Sequence, residues 1–167
     1  MDFYILARSL IYLYLTISHP TTLVFDEPVD YVSAGKEGEF SLHRANNQKI
    51  LVVQPLKDFS ETDMIVITKD HHYQLKLRRP LENEKSHSFV YIHEGVVNRS
   101  YVLKFENDDL KILEGETSTL IQNKTKKTIL VNEKEVEREG SFSKGIPFVV
   151  NNQRVLNWIQ NYLHSHF

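Results

Sequence analysis

The residues that this 167-residue chain lacks exclude several classes of protein. It has no cysteine, which excludes a disulfide framework, a thiolate zinc site, an iron–sulfur cluster and a cysteine nucleophile. It has only six glycines, and none of them belongs to a phosphate-loop or nucleophile-elbow motif. Neither sign of charge dominates, since 20 Lys and Arg residues stand against 22 Asp and Glu residues. This balance argues against a dedicated nucleic-acid binder, which normally carries a basic stripe.

The residues that are present predict a mainly β protein. Apolar residues recur in short runs from position 21 onward, and turn residues separate the runs at spacings typical of β-sandwiches. Residues 73–78 alternate apolar and polar side chains, as a strand with one buried face does. Residues 101–106 repeat the pattern, which predicts that Tyr101, Leu103 and Phe105 face the core.

Two runs and two turns complete the strand pattern. Residues 50–53 and 64–67 are apolar throughout, which predicts central strands that are covered on both faces. Residues 69–72 lie between two such runs and predict a hairpin turn, and residues 132–135 predict another.

The predicted fold is an immunoglobulin-like β-sandwich with additional strands and a short carboxy-terminal helix. Residues 19–80 are expected to form the sandwich, and residues 81–167 to add further strands or a second small β domain. The charged, proline-containing stretch 79–88 is the predicted boundary; a long surface loop is the alternative for it.

The carboxy-terminal residues predict an amphipathic helix. Three aliphatic residues recur at spacings of three and four, with two aromatic residues alongside: Leu156, Ile159, Leu163, Trp158 and Tyr162. Asn151 or Asn152 is predicted to cap its first turn. Because so short a helix is marginal alone, it is expected to dock on the sheet or on a partner.

The amino-terminal residues 1–18 predict a signal peptide. An apolar run over residues 9–17 follows Arg8, and the small residues Thr16 and Ser18 precede a possible cut ahead of His19. The run is too short to span a membrane. The alternative is a first β-strand or a buried helix.

No catalytic, metal or cofactor site is predicted. His71 and His72 are adjacent and have no metal-ligand spacing, which favours an exposed pair without a role in a turn. Asn98 and Asn123 each begin an Asn-x-Ser/Thr triplet, a pattern too common to predict glycosylation.

The first half of the chain resembles a known family over five consecutive pieces. The pieces are residues 21–25, 27–35, 49–56, 62–68 and 73–77. Their order resembles the amino-terminal β-sandwich domain of the periplasmic core-complex subunit of conjugation and type IV secretion machines, the CagX/TraO/TraN kind. In that family a Pro-Ile/Val-x-x-Val-x-x-Gly segment follows the first strand. Asp63 stands here where the family usually has asparagine.

The resemblance implies a non-enzymatic, exported scaffold without cofactors. Such a subunit would be periplasmic and peripheral to the outer membrane, and would assemble with other envelope subunits as a homo- or hetero-oligomer without binding nucleic acid directly. The predicted partner-binding residues lie in a strand near the mature amino terminus and in the carboxy-terminal helix: Thr21, Leu23, Phe25, Trp158 and Tyr162.

Two alternatives to the scaffold stay open. One is a periplasmic ligand- or carbohydrate-binding β-sandwich with exposed aromatic residues such as Tyr31, Tyr91 or Tyr101, and the other is a pilus-secretin-associated domain. Coplanar exposed aromatic rings on one sheet face would favour the carbohydrate-binding module.

Overall fold

The computed structural model describes residues 1–155, which form strands joined by turns and loops. This confirms the prediction of a mainly β protein. No helix long and apolar enough to cross a membrane occurs in the described part of the chain. The predicted helix with Leu156, Trp158, Ile159, Tyr162 and Leu163 lies outside the described residues.

The chain divides into two compact units. Unit 1 comprises Met1–Phe3 and Ala7–His93, and unit 2 comprises Tyr4–Leu6 and the residues from Glu94 onward. The division therefore follows His93 and does not fall within residues 79–88, which form the loop between two strands.

Nine strands lie in the first part of the chain. They are β1 (Asp2–Ile5), β2 (Leu10–Tyr14), β3 (Thr21–Phe25), β4 (Val29–Ala34), β5 (Phe40–Ala45), β6 (Ile50–Pro55), β7 (Glu61–Thr68), β8 (His72–Arg78) and β9 (Phe89–Glu94). Sheet A has the order β1-β9-β3-β6-β5, and sheet B has the order β2-β8-β7-β4. The turn predicted at residues 69–72 does connect β7 to β8.

The two sheets of unit 1 bury a shared core. Leu23 and Leu51 of sheet A are fully buried, as are Met64 and Val66 of sheet B. The rings of Phe25 and Tyr73, one from each sheet, lie 5.4 Å apart. Each fully buried aliphatic side chain of this kind stabilises the fold by about 1.5–3 kcal/mol. Two sheets packed face to face are consistent with the predicted β-sandwich.

The apolar run near the amino terminus is a core strand. β2 pairs in parallel with β8 and places Ile11 opposite Leu75 and Leu13 opposite Leu77. Ile11, Leu13 and Leu15 are all fully buried. The run therefore forms a β-strand, which was the alternative to a signal peptide. A cut ahead of His19 would remove β1 and β2 from the fold.

Eight strands follow in the second part of the chain as far as residue 155. They are β10 (Val102–Glu106), β11 (Leu110–Glu114), β12 (Ser118–Asn123), β13 (Ile129–Val131), β14 (Lys134–Val136), β15 (Glu139–Ser143), β16 (Phe148–Val150) and β17 (Gln153–Val155). Sheet C has the order β10-β11-β12-β15, and sheet D has the order β14-β13-β16-β17. Their core contains Leu110, Ile112, Ile121, Ile129, Val131, Val136 and Phe142.

Strand β10 departs from the predicted alternation. A β-bulge between Leu103 and Phe105 inserts Lys104 into the strand. Leu103 is 49% exposed as a result, so its predicted place in the core is wrong. A bulge changes which face the following side chains occupy, and the apolar pattern alone does not reveal it.

Turns that contain asparagine close two of the hairpins. Asn132 and Glu133 both have positive φ between β13 and β14, and Asn151 and Asn152 do between β16 and β17. Two consecutive left-handed residues form the type I′ turn that suits a two-residue hairpin, and asparagine tolerates that conformation. The predicted helix cap at Asn151 or Asn152 is therefore wrong, because both residues belong to a hairpin.

Candidate protein-binding face

The predicted docking strand β3 lies in the middle of a sheet. It pairs with β6 on one side and with β9 on the other. Its predicted partner-binding residues Thr21, Leu23 and Phe25 are at most 2% exposed. β3 thus has no free edge for another chain. The other two predicted residues, Trp158 and Tyr162, lie outside the described residues.

The solvent side of sheet A carries an apolar surface instead. We call this surface the outer face of sheet A; its residues are Thr22, Val24, His43, Ala45, Ile50, Val52, Phe89 and Tyr91. The strand register aligns them in two rows, each crossing four neighbouring strands. One row runs Phe89, Thr22, Val52, His43, and the other runs Tyr91, Val24, Ile50, Ala45.

Strand β6 shows why this face is unusual. Leu51 and Val53 are fully buried, whereas Ile50 and Val52 are half-buried on the opposite face. Residues 50–53 are apolar on both faces of the strand, a pattern that is typical of strands covered on both faces. The described part of the chain covers one side only. The prediction that β6 is a central strand is confirmed, because it pairs with β3 and with β5. The described residues do not include the second layer that was predicted to cover Ile50 and Val52.

Aromatic side chains form one end of the outer face of sheet A. Phe89 is 44% exposed and Tyr91 is 41% exposed. Their ring centroids lie 5.1 Å apart at 63°, in an edge-to-face contact. The Tyr91 ring also stacks on His93 at 6.1 Å and 7°. Exposed aromatic rings that support one another are typical of protein interfaces.

Two carboxylates flank His93 beside this aromatic row. Its Nε2 lies 3.0 Å from Asp2 Oδ1, and its Nδ1 lies 3.4 Å from Asp26 Oδ1. All three side chains are in contact with solvent. The cluster therefore forms a polar rim at one end of an apolar surface, as interfaces commonly have.

The exposed aromatic residues that the structure describes do not form a sugar-stacking platform. Tyr31 lies on β4 of sheet B, Tyr91 lies on β9 of sheet A, and Tyr101 precedes β10 in sheet C. The Tyr101 hydroxyl also lies 3.0 Å from Ser118 Oγ. Phe89 and Tyr91 share a face but are inclined at 63° and are not coplanar. This geometry favours contact with protein side chains over the flat face of a sugar ring.

The two adjacent histidines have different surroundings. His71 stacks on Tyr73 with centroids 5.8 Å apart, and its Nδ1 lies 3.4 Å from Glu27 Oε2. His72 is exposed. Glu27 Oε2 also accepts hydrogen bonds from Thr68 Oγ1 at 2.7 Å and from the Asp70 N–H at 3.3 Å. The Glu27 carboxylate thereby stabilises the turn between β7 and β8.

Glu27→Gln is expected to lower the melting temperature at pH 7, by an amount that shrinks in acid. The Thr68 hydroxyl, the Asp70 N–H and His71 hold the pKa of Glu27 at about 2, below its usual 4.5. A carboxylate with a lowered pKa stabilises the fold above its unfolded pKa, and this contribution is lost as the pH falls toward 2. Thermal melts from pH 7 to pH 2 measure the difference. The exposed Glu37→Gln serves as the control, and an equal effect of both variants would contradict the assigned role.

No group of three or more histidine and acidic side chains is arranged to hold a metal ion in the part of the chain that the structure describes. A cavity of about 390 Å³ lies in unit 2, over an apolar floor of Leu110, Ile129 and Val150. Its lining includes Asp109 as well as Lys127 and Arg154. Charges of both signs at the cavity point to no particular class of ligand.

Sequence reasoning missed the outer face of sheet A because its residues are scattered along the chain. The available signal was an apolar residue at outward positions of several strands, namely Val24, Ile50, Val52, Phe89 and Tyr91. Only the register of the strands brings them together. Comparison with known proteins adds no assignment: no protein-family model matches the chain, and no curated protein is significantly similar to it.

Proposed function

We propose that the protein is a non-enzymatic assembly module that binds another protein through the outer face of sheet A. The observation that carries the proposal is a pair of rows that crosses four hydrogen-bonded strands on the solvent side, in which six of the eight side chains are apolar and the other two are Thr22 and His43. Neighbouring strands lie nearly 5 Å apart, so the rows extend for about 15 Å. An apolar surface of this width, with a polar rim, is typical of a protein interaction site.

The shape of the face supports a protein partner. It is one side of an open sheet, and small-molecule sites are usually concave. The aromatic pair at one end offers a suitable anchor, since aromatic residues contribute strongly to the centres of interfaces. Half-buried Val24, Ile50 and Val52 continue the contact surface toward β5.

The proposal includes a cellular setting. The resemblance of residues 21–79 to the envelope subunits of conjugation and type IV secretion machines supports a role in such a complex. The partners are then other envelope subunits, and the protein acts in the periplasm near the outer membrane. Because β2 is a core strand, residues 10–14 stay with the folded protein in this proposal.

Val52→Lys is expected to weaken partner binding while leaving the fold intact. Val52 lies in the middle of its row, between Thr22 and His43, where a lysine ammonium would be desolvated by a bound partner. The change is expected to weaken binding at least about 30-fold, the equivalent of 2 kcal/mol. The matched control is Ile65→Lys on β7, because Ile65 is also exposed, at 44%, but lies on sheet B.

A photocrosslinkable residue placed at position 91 in the native cell identifies the partner, with position 65 as its control. An envelope subunit that crosslinks at position 91, and is lost with Val52→Lys, is the expected result. Equal crosslinking at both positions would overturn the assigned face. Specific crosslinking to a protein outside the envelope would contradict the proposed role in a secretion complex. It would still support the proposed binding through the outer face of sheet A.

A further inference from the structure

The edges of unit 1 differ in whether they can accept another strand. Sheet A ends at β1 and β5, and sheet B ends at β2 and β4. An edge strand presents N–H and C=O groups that template pairing, so proteins usually block it with a bulge, a charge, a proline or a covering group.

Strand β4 is blocked in two ways. A bulge interrupts its register between Val29 and Tyr31. In addition, Arg44 Nη1 donates hydrogen bonds to the Val29 carbonyl at 3.0 Å and to the Asp30 carbonyl at 3.4 Å. A guanidinium group on these carbonyls occupies acceptors that an added strand would need.

One residue of β2 and one of β1 are also occupied. The Tyr14 N–H of β2 donates to His87 Nδ1 at 2.8 Å, and the His87 N–H donates to the Tyr14 carbonyl at 2.7 Å. β1 has only four residues. Its Tyr4 exchanges two backbone hydrogen bonds with Lys144, both 2.9 Å long.

Strand β5 has no bulge, no proline and no covering group among the residues that the structure describes. Its register with β6 is unbroken from Phe40 opposite Pro55 to Ala45 opposite Ile50. It contains neither proline nor lysine, and its one charged residue, Arg44, reaches away to the β4 carbonyls. No strand in the described part of the chain pairs with its open side.

The hydrogen-bond pattern shows which β5 residues face that open side. The Glu39 carbonyl accepts from the Leu56 N–H at 2.8 Å, so position 39 points its backbone toward β6. Backbone groups alternate in direction along an antiparallel strand. Phe40, Leu42 and Arg44 therefore turn their N–H and C=O groups to the open side. Pro55 lies opposite Phe40 and agrees with this pattern, because proline has no N–H to donate to β5.

We propose that β5 pairs antiparallel with β5 of a second copy of this chain, about a two-fold axis at Leu42. Within unit 1 of a second copy the β5 edge is the matching partner, because β4 is bulged and its first carbonyls are held by Arg44, and β2 is hydrogen-bonded to His87 at Tyr14. With Leu42 on the axis, each outward-facing residue meets an outward-facing residue of the second copy. Phe40 then lies opposite Arg44 of the second copy, and Ser41 lies opposite His43, so no like charges meet.

This pairing uses the edge of the sheet and is independent of the proposed use of its face. It also joins two outer faces of sheet A into one continuous surface. The interface is isologous, as in most symmetric dimers.

Leu42→Pro is expected to weaken self-association of the full-length protein at least about tenfold, the loss that one or two backbone hydrogen bonds would cause. The proline removes an N–H that faces away from β6, so the intramolecular ladder keeps its bonds. Sedimentation velocity over a concentration series measures the dissociation constant, and a thermal melt checks that the variant is folded.

Cysteine crosslinking tests the register even if the proline variant fails to fold. The chain has no cysteine, so Leu42→Cys introduces a single thiol at the axis. Directly opposite residues in antiparallel strands lie within the range that a disulfide spans. Leu42→Cys is expected to form a covalent dimer under mild oxidation. Tyr31→Cys, on the exposed but blocked edge β4, is expected to stay monomeric.

Three results would overturn the proposal. A wild-type chain that stays monomeric at its highest soluble concentration would exclude the dimer. Self-association that a folded Leu42→Pro variant retains, or a Tyr31→Cys chain that crosslinks as well as Leu42→Cys, would place the contact elsewhere. Capture of a different protein by Leu42→Cys, without a homodimer, would assign the edge to a foreign strand.

Discussion

Replacing Asn123 with Asp is expected to destabilise the protein by about 3 kcal/mol, whereas the same replacement at Asn98 is expected to cost less than about 1 kcal/mol. Both residues begin an Asn-x-Ser/Thr triplet and both side chains are half-buried. The difference comes from which end of the amide group the fold uses.

Asn123 is used mainly as a donor. Its Nδ2 donates to the carbonyls of Lys127 at 2.7 Å, Val136 at 3.1 Å and Glu137 at 3.0 Å. Its Oδ1 accepts from the Thr125 N–H at 2.9 Å, which fixes the orientation of the amide. Aspartate would place a carboxylate oxygen against three carbonyl oxygens, with the loss of both N–H donors and added repulsion.

Asn98 is used as an acceptor. Its Oδ1 accepts from the N–H groups of Thr117 and Ser118, each at 2.9 Å, and from Ser118 Oγ at 2.8 Å. A carboxylate accepts the same three hydrogen bonds, and charge strengthens them. Asn98→Ala removes the acceptor and is expected to cost about 3 kcal/mol, because it leaves the N–H groups of Thr117 and Ser118 without this acceptor.

Urea unfolding of the three variants and the wild type measures these differences. A loss of 3 kcal/mol corresponds to a fall of roughly 10 °C in melting temperature. Equal destabilisation by Asp at both positions would show that the orientation of the amide groups is not what decides the cost. The Asn123 triplet holds its amide nitrogen in the fold, so Asn123 is not a free acceptor for a sugar.

Acidification from pH 6.5 to pH 4 is expected to destabilise unit 1 by roughly 3 kcal/mol through His87 alone. The ring is 8% exposed and lies between Tyr14, stacked at 5.4 Å, and Phe3, edge-on at 5.4 Å. Burial, together with the positive charge of the amino terminus, lowers the pKa of His87 from 6.5 to about 4.

The direction of the effect follows from proton binding. Between pH 6.5 and pH 4 the unfolded chain binds a proton at His87 that the folded chain excludes, so acid favours unfolding. Protonated Nδ1 also cannot accept the hydrogen bond from the Tyr14 N–H. The stabilisation is therefore complete above pH 6.5 and is lost as the pH falls through 4.

His87→Asn is the informative variant for this prediction. An asparagine oxygen can replace Nδ1 as the acceptor and does not titrate in this range. Urea unfolding at intervals between pH 7.5 and pH 4 is expected to show a slope for the wild type that the variant lacks. Identical slopes in both proteins would mean that another group is responsible.

The strands were predictable where burial imposed a simple period. The alternation in residues 73–78 and the apolar runs at 50–53 and 64–67 correspond to β8, β6 and β7. The alternation in β8 is set by the pleat, which is a local property of the chain, whereas the runs in β6 and β7 were recognisable from their length and continuous hydrophobicity. The exception at β10 arises because the bulge at Lys104 depends on the pairing with β11.

The candidate site was not predictable by the same reasoning. β3 has the sequence of a good docking strand, but its two neighbours along the sheet come from distant parts of the chain. Whether Thr21–Phe25 is an edge or a centre is decided by β6 and β9 together. The outer face of sheet A depends equally on long-range register, so no local pattern contains it.

The apolar run at residues 9–17 shows a different limit. Signal-peptide cores and buried strands are both short and hydrophobic, and hydropathy does not separate them. Pairing with β8 decides the structure of this run, and that pairing partner lies far along the chain. The hairpin at Asn151 and Asn152 was hidden by a similar ambiguity, since asparagine suits both helix caps and tight turns.

The division of the chain also determines how it can be made and cut. Tyr4–Leu6 belong to unit 2, yet they leave the ribosome long before Gly95 and Lys144, whose N–H groups donate to the carbonyls of Ile5 and Tyr4. Unit 2 therefore cannot complete its hydrogen bonds until most of the chain has been synthesised. A fragment that starts at Glu94 would leave both N–H groups without these acceptors. Expression of the second half alone is thus an unsuitable route to an isolated domain, and a circular permutant that restores the Tyr4–Leu6 segment would be needed.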